Sequence, residues 1–148
     1  MTEKKPFRHW DPAIAAPFVL AREGCELEAY KCPAGVWTIG AGHTAGVKPG
    51  DKITHDEALA LLEDDLRIFA EQIGGAVSAW CTEHQFVAML SLAYNIGATA
   101  FRRSSVCRLH NAGAKMQAAD AFLLWKFAGG KPILLPRRRL ERAEYLKC

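Results

Sequence analysis

Residues 22–44 read REGCELEAYKCPAGVWTIGAGHT. A helix has to stop inside this stretch and a sheet has to begin. Leu27 and Ala29, then Trp37 and Ile39, alternate with polar or small residues, the period of a half-buried strand. Pro33-Ala34-Gly35 lies between the two runs as a turn, and Gly40, Gly42 and Gly46 are too frequent for a helix. The stretch from Cys25 to Val47 therefore predicts a small β-hairpin or three-stranded sheet. On its N-terminal side, Asp11-Pro12 has the pattern of an N-cap followed by proline at the first helical position. The predicted helix runs to about Glu23, with Pro17 delaying or kinking it and Gly24 as its C-terminal stop.

Beyond the hairpin the chain reads as helix. Thr54-His55-Asp56-Glu57 is a capping-box sequence. Ala58, Leu62, Leu66, Phe69 and Ile73 then recur every three or four residues until Gly74-Gly75. Thr82-Glu83-His84-Gln85 repeats the capping pattern and leads into Phe86, Met89, Leu90 and Ala93. Further helices are expected over about 99–111, 115–127 and 136–147, broken by Gly113 and by Gly129-Gly130-Lys131-Pro132. No internal repeat or low-complexity tract interrupts this order. The expected architecture is α+β: a sheet lobe at about 24–52 and a helical lobe at about 54–148 that includes the N-terminal helix. The two lobes are expected to form one domain with a cleft between them.

Composition narrows the function. Of the 148 residues, 50% are hydrophobic and 24% charged, a balance that argues against both disorder and a membrane bundle. Lys4-Lys5 followed by the apolar stretch Pro12 to Ala21 imitates an export signal, but Asp11 at its entrance and Pro17 within it argue against that reading. The chain is expected to be made and kept in a cytoplasm. Its five cysteines are odd in number and lack zinc-site spacing, so they are expected as reduced, mostly packing thiols. Residues 1–100 hold 8 basic and 13 acidic side chains, whereas residues 101–148 hold 11 and 3. A basic C-terminal part suits an anionic partner such as a bacterial envelope or a nucleic acid, or is simply a solvated helical surface.

Three residues of the opening stretch could carry chemistry. Glu23 stands at a helix C-terminus, where the partial negative charge of the last carbonyls opposes ionisation, and apolar neighbours would add a desolvation cost. Both raise a carboxyl pKa, as a general acid near neutral pH requires. Arg22 would oppose this if it turned toward the carboxyl. On spacing alone a solvated surface glutamate is the commoner outcome. Cys32 and Thr38 flank the hairpin turn, which can bring thiol and hydroxyl together: one to accept a proton or act as nucleophile, the other to hold a water. On the residue pattern alone, ordinary packed residues are the commoner outcome at both positions. His43 is either the base of a Cys–His pair or a structural histidine.

The runs Arg22-Glu23-Gly24-Cys25-Glu26-Leu27-Glu28-Ala29-Tyr30 and Gly35-Val36-Trp37-Thr38-Ile39-Gly40-Ala41-Gly42-His43-Thr44 resemble the signature of bacteriophage lysozymes of glycoside hydrolase family 24. That pattern has a Glu followed by Gly, an Asp or Cys nine residues after the Glu, and a Thr six later; Glu23, Cys32 and Thr38 match it. The resemblance continues through Thr54 to Leu66, through Tyr94-Asn95-Ile96-Gly97 and into Arg137-Arg138-Arg139 with Glu141-Arg142. Where the family often has Pro-Gly-Leu before its arginines, this chain has Leu134-Leu135-Pro136.

The resemblance implies a sheet lobe joined by a long helix to a helical lobe. It also implies hydrolysis of the β-1,4 bond between N-acetylmuramic acid and N-acetylglucosamine of peptidoglycan. Glu23 would be the acid, Thr38 would position water, Cys32 would stand where many members have Asp, and Asn95 would contact substrate. Inversion at the anomeric carbon is what the family implies. No cofactor or metal is expected. The protein is expected to act as a monomer, without nucleic acid or stable membrane insertion, reaching the wall through a holin. His43 is expected to pair with Asp65, fastening the sheet lobe to the helix begun by Thr54. A lytic transglycosylase and a non-catalytic wall-binding module are the competing functions.

Overall fold

The computed structural model describes residues 2–148. Asp11 caps the first helical segment, with Ala13 N donating to its Oδ1 at 3.0 Å. That segment is a 3-10 turn over Pro12–Ala15, and the α-helix proper, α1, spans Ala16–Glu23. Pro17 thus falls in the first turn of α1, where its missing N–H costs nothing. Gly24 ends the helix at φ 75, a conformation that glycine alone adopts without a Cβ penalty.

The chain then forms β1 (Glu26–Lys31) and β2 (Trp37–Gly40). They pair antiparallel, Tyr30 opposite Thr38 and Lys31 opposite Trp37, with an irregularity between Glu26 and Tyr30. A third partner is only a short one: Ala29 N donates to Asp51 O and Ile53 N to Leu27 O, each at 2.9 Å. The two-stranded form of the expected sheet is therefore the observed one. Gly40, at φ 65, lies where an added Cβ would stand 3.6 Å from the Ala58 side chain, so β2 closes directly onto the next helix.

That helix, α2 (His55–Gly74), carries the full capping box between Thr54 and Glu57 and buries Ala58, Leu62, Leu66, Ala70 and Ile73. It is followed by α3 (Glu83–Ile96), α4 (Ala98–Arg102), α5 (Ser105–Asn111), α6 (Lys115–Ala121) with a 3-10 extension to Trp125, and α7 (Leu135–Leu146). Two expectations need correction. The helix placed at 99–111 is two, because the Ser104 side chain accepts from Cys107 N and starts a new helix there. The segment at 115–127 is α-helical only to Ala121. In addition, α3 is not one-faced: every residue from Gln85 to Ala93 is buried, the pattern of a helix enclosed on all sides. It runs through the middle of the helical lobe with α7 along it.

Polar ties hold the hairpin to this scaffold. His43 Nδ1 lies 2.8 Å from Asp65 Oδ2 on α2, its Nε2 lies 3.0 Å from Ala45 O, and Tyr94 Oη on α3 donates to Ala41 O at 2.8 Å. With one imidazole nitrogen on a carboxylate and the other on a carbonyl, both ring nitrogens of His43 are engaged by partners other than Cys32. Its environment is that of a fastener, as expected. Replacing it by Asn should cost about 1.5–3 kcal/mol, the range for losing a hydrogen bond to a charged group. Turnover per folded molecule well below the melting range should stay within a few-fold. Thermal denaturation beside a turbidity assay checks this; lost turnover with unchanged melting would make His43 part of the chemistry.

Candidate active site

Glu23 is the last residue of α1, so its side chain leaves the helix where the chain turns into the hairpin. It lines a cleft of about 300 Å³ together with His43, Thr44, Asp65, Tyr94 and Asn95. Two elements far along the chain grip the acid. Arg137, in the first turn of α7, donates from Nη1 to Glu23 Oε1 at 3.1 Å and from Nη2 to the Arg22 carbonyl at 2.9 Å. One guanidinium thereby satisfies both the carboxyl and a carbonyl at the C-terminal end of α1. Asn95, near the end of α3, lines the cleft beside the Glu23 carboxyl and favours its ionised form, while its Oδ1 accepts from Arg138 Nη2. Since the oxygen is taken by the guanidinium, the amide presents its NH2 to the acid.

Burial pushes the Glu23 carboxyl above its ordinary pKa, against the opposing pull of Arg137, Arg138 and the Asn95 amide. Arg22, which would oppose this if it turned toward the carboxyl, does not reach it. Its guanidinium lies over the Phe18 ring at 4.4 Å, and its Nε is buried without a hydrogen-bond partner.

Behind Asn95 lies a network that the sequence did not reveal. Arg138 and Glu141 are both fully buried, at 0% exposure. Arg138 donates from Nη1 to Glu141 Oε1 at 2.7 Å, from Nε to the Trp125 carbonyl at 2.9 Å, and from Nη2 to Asn95. Glu141 takes a second hydrogen bond from Ser91 Oγ of α3 at 2.6 Å. Arg138 and Glu141 are three residues apart on α7 and so share one face. That spacing, an acid returning one turn after an arginine, was the available signal. The basic character of the segment points instead to an anionic partner or a solvated helical surface.

Cys32 and Thr38 form a second cluster. Cys32 N donates to Val36 O at 3.0 Å and Gly35 N to Cys32 O at 2.8 Å, closing the hairpin turn. The backbone N–H groups of Val36 and Ala34 point at the sulfur and hold the thiol below its usual pKa, and the Thr38 hydroxyl helps. That hydroxyl also lies 3.0 Å from the Val36 carbonyl, so its single proton serves one acceptor at a time. Cys32 is half-buried, Thr38 is buried, and all five cysteines are free thiols. The structure thus brings Glu23 together with Asn95, and Cys32 with Thr38; the latter two do not line the 300 Å³ cleft. Among the described residues no three His, Cys, Asp or Glu side chains are grouped to hold a metal ion.

This arrangement can be set beside known proteins. Residues 21–141 match the family model described as phage lysozyme. The endolysin of Salmonella phage P22 is 45% identical over 130 residues, covering 84% of this chain and 89% of that protein. A crystal structure of a P22 lysozyme point mutant superposes with a TM-score of 0.84 at 42% identity, covering 90% of this chain and 96% of that one. The muramidase domain of SpmX from Asticaccaulis excentricus gives the same TM-score at 33% identity, over 91% and 96%.

Removing one member of a buried pair strands the other charge, at a cost of about 3–5 kcal/mol. Glu141→Ala should therefore lower the unfolding free energy by that amount in urea titration. Arg142→Ala, which breaks an exposed pair with Asp120 at 2.9 Å, should cost less than about 1 kcal/mol. Equal losses would show that the buried network is not a structural determinant.

Proposed function

The chain belongs to the phage lysozyme family, and from that membership we propose how this muramidase cuts the host wall. Glu23, in its carboxylic form, gives its proton to the glycosidic oxygen between N-acetylmuramic acid and N-acetylglucosamine. The C1–O bond breaks as the oxygen takes that proton. A water held by Thr38 attacks C1 from the opposite face, and its proton passes to Cys32 as thiolate. Solvent then returns a proton to Glu23 and removes one from Cys32. Inversion at C1 follows. The observation that carries the reading is the Glu23 carboxyl, half-enclosed at the cleft and raised in pKa by burial; a general acid must keep its proton near neutral pH. Asn95 lines the same cleft with its NH2 on the side of this carboxyl, where it can also meet a sugar substituent.

The whole chain acts as a single muramidase domain, working as a monomer. The protein is made in the host cytoplasm and reaches peptidoglycan when a holin opens the membrane, consistent with its likeness to endolysins. No helix among the described residues is long and apolar enough to cross a membrane.

Two substitutions test the chemistry. Glu23→Gln keeps the shape and loses the proton, so lysis of purified Gram-negative sacculi should fall by about 10²-fold or more. The raised pKa fixes the sign of a stability effect. A carboxyl raised on folding favours the native state most below its unfolded pKa, and that contribution is lost as pH rises through the folded value. Glu23→Gln should thus be at least as stable as the parent at neutral pH, with the advantage shrinking in acid. Activity within a few-fold of the parent would remove Glu23 from the mechanism.

Cys32 is separable by series. Cys32→Asp, which restores an ionised group, should keep substantial turnover. Cys32→Ser should lose turnover far more than stability, because a hydroxyl does not ionise at these pH values. Full activity in Cys32→Ala, measured by turbidity loss with melting as control, would leave the thiol without a role.

A further inference from the structure

A second pocket of about 290 Å³ opens on the helical lobe, sharing no lining residue with the Glu23 cleft. Its floor is made of Gln85, His110 and Tyr145, and Lys4, Trp80 and Lys115 also line it. Three features of this pocket are unexplained by folding. First, Trp80 is 61% exposed, although tryptophan is on average among the more buried residues. Second, no acidic side chain lines the pocket, and among the described residues neither lysine has an ion-pair partner. Third, the strand of chain that presents Trp80 is pinned on both sides. Ser78 N and Ala79 N donate to Asn111 Oδ1 at 2.9 and 3.2 Å. The Ala79 carbonyl lies 3.1 Å from His110 Nε2, and Cys81 exchanges backbone hydrogen bonds with Lys5 at 2.9 and 3.0 Å.

A rigid segment holding an indole in water is preorganised to meet something, since little side-chain or loop entropy remains to be lost on contact. The flat indole face suits a ligand with an apolar face and polar edges, as a pyranose ring has. The two cations call for a carboxylate. Gln85 uses its Oε1 to accept from Thr82 N at 3.0 Å, which leaves its NH2 donors for an acyl carbonyl. Burial lowers the His110 pKa, and its two ring nitrogens meet Tyr145 Oη at 2.7 Å and the Ala79 carbonyl at 3.1 Å, so it forms a polar floor already tied within the protein.

We propose that this pocket is a second, non-catalytic site for the wall glycan, binding an acylated amino sugar with its ring on Trp80 and a carboxylate of its attached peptide on Lys4 and Lys115. The identity of the polymer rests on the muramidase reading. A second contact on one insoluble polymer keeps the enzyme near fresh bonds by raising the effective concentration at the cleft.

The test separates this site from the catalytic one. Retention on purified sacculi is measured in a Glu23→Gln background, with Trp80→Ala or the pair Lys4→Ala and Lys115→Ala added. Each should weaken retention about fivefold to tenfold, as loss of a binding anchor worth more than 1 kcal/mol does. With Glu23 intact, the same changes should leave turnover of a short soluble glycan fragment unchanged. A disaccharide–dipeptide muropeptide should shift the Trp80 indole N–H resonance in the parent. Unaltered retention in both variants, or an unmoved resonance, overturns the site. A parent that cuts no glycan overturns the muramidase reading instead, and the binding arms can still be read. If Trp80→Ala melts lower than the parent, the lysine pair, whose side chains are exposed, decides.

Discussion

The buried pair of Arg138 and Glu141 is the constraint around which the helical lobe is arranged. Two charges removed from water are tolerated only when their remaining hydrogen-bonding capacity is met. Here the partners come from two other elements: the Trp125 carbonyl at the end of the α6 extension, and Ser91 and Asn95 on α3, with both ions on α7. The requirement therefore fixes three elements relative to one another more sharply than apolar contact alone would. Asn95 is the member of that set which also reaches the acid, so the orientation of the Glu23 carboxyl inherits the rigidity of the core.

The electrostatics of Glu23 are a contest between unequal causes. Two guanidinium groups and an amide favour the ionised form, yet burial outweighs them. The same Arg137 that lowers the pKa also holds the helix end from which the acid projects. An arginine that only lowered the pKa would harm a general acid. One that also satisfies the Arg22 carbonyl anchors the end of α1 while the carboxyl keeps a raised pKa.

The parts of the fold that were legible in the sequence are those written locally. Thr54 with Glu57 and Thr82 with Gln85 each form the predicted capping box, and the Pro33-Ala34-Gly35 turn lies between two paired strands. His43 and Asp65 meet as the family resemblance implied. What was not legible depends on residues far apart in the chain. Arg137 lies 114 positions from Glu23, and the burial of Arg138 follows from partners 43 and 13 positions away. A basic run has the same composition whether it faces solvent or threads the core. Ser104 is a local cap signal inside the expected 99–111 helix, and it starts a new helix there. For the site, the positions of Glu23, Cys32 and Thr38 came from the motif. The lowered thiol pKa came only with the turn geometry that aims two backbone N–H groups at the sulfur.

The grip of α7 on the end of α1 has a consequence for the order of events during synthesis. Translation delivers residues from the N-terminus, and early segments can fold while later ones are still being made. Glu23 and the hairpin emerge first, but the carboxyl has neither its guanidinium nor its Asn95–Arg138 support until α7 has been made and has docked along α3. The nascent chain thus carries an acid in water, with an ordinary carboxylate's affinity for protons. A chain broken off ahead of α7 therefore carries Glu23 without Arg137 and without the Asn95–Arg138 contact behind it.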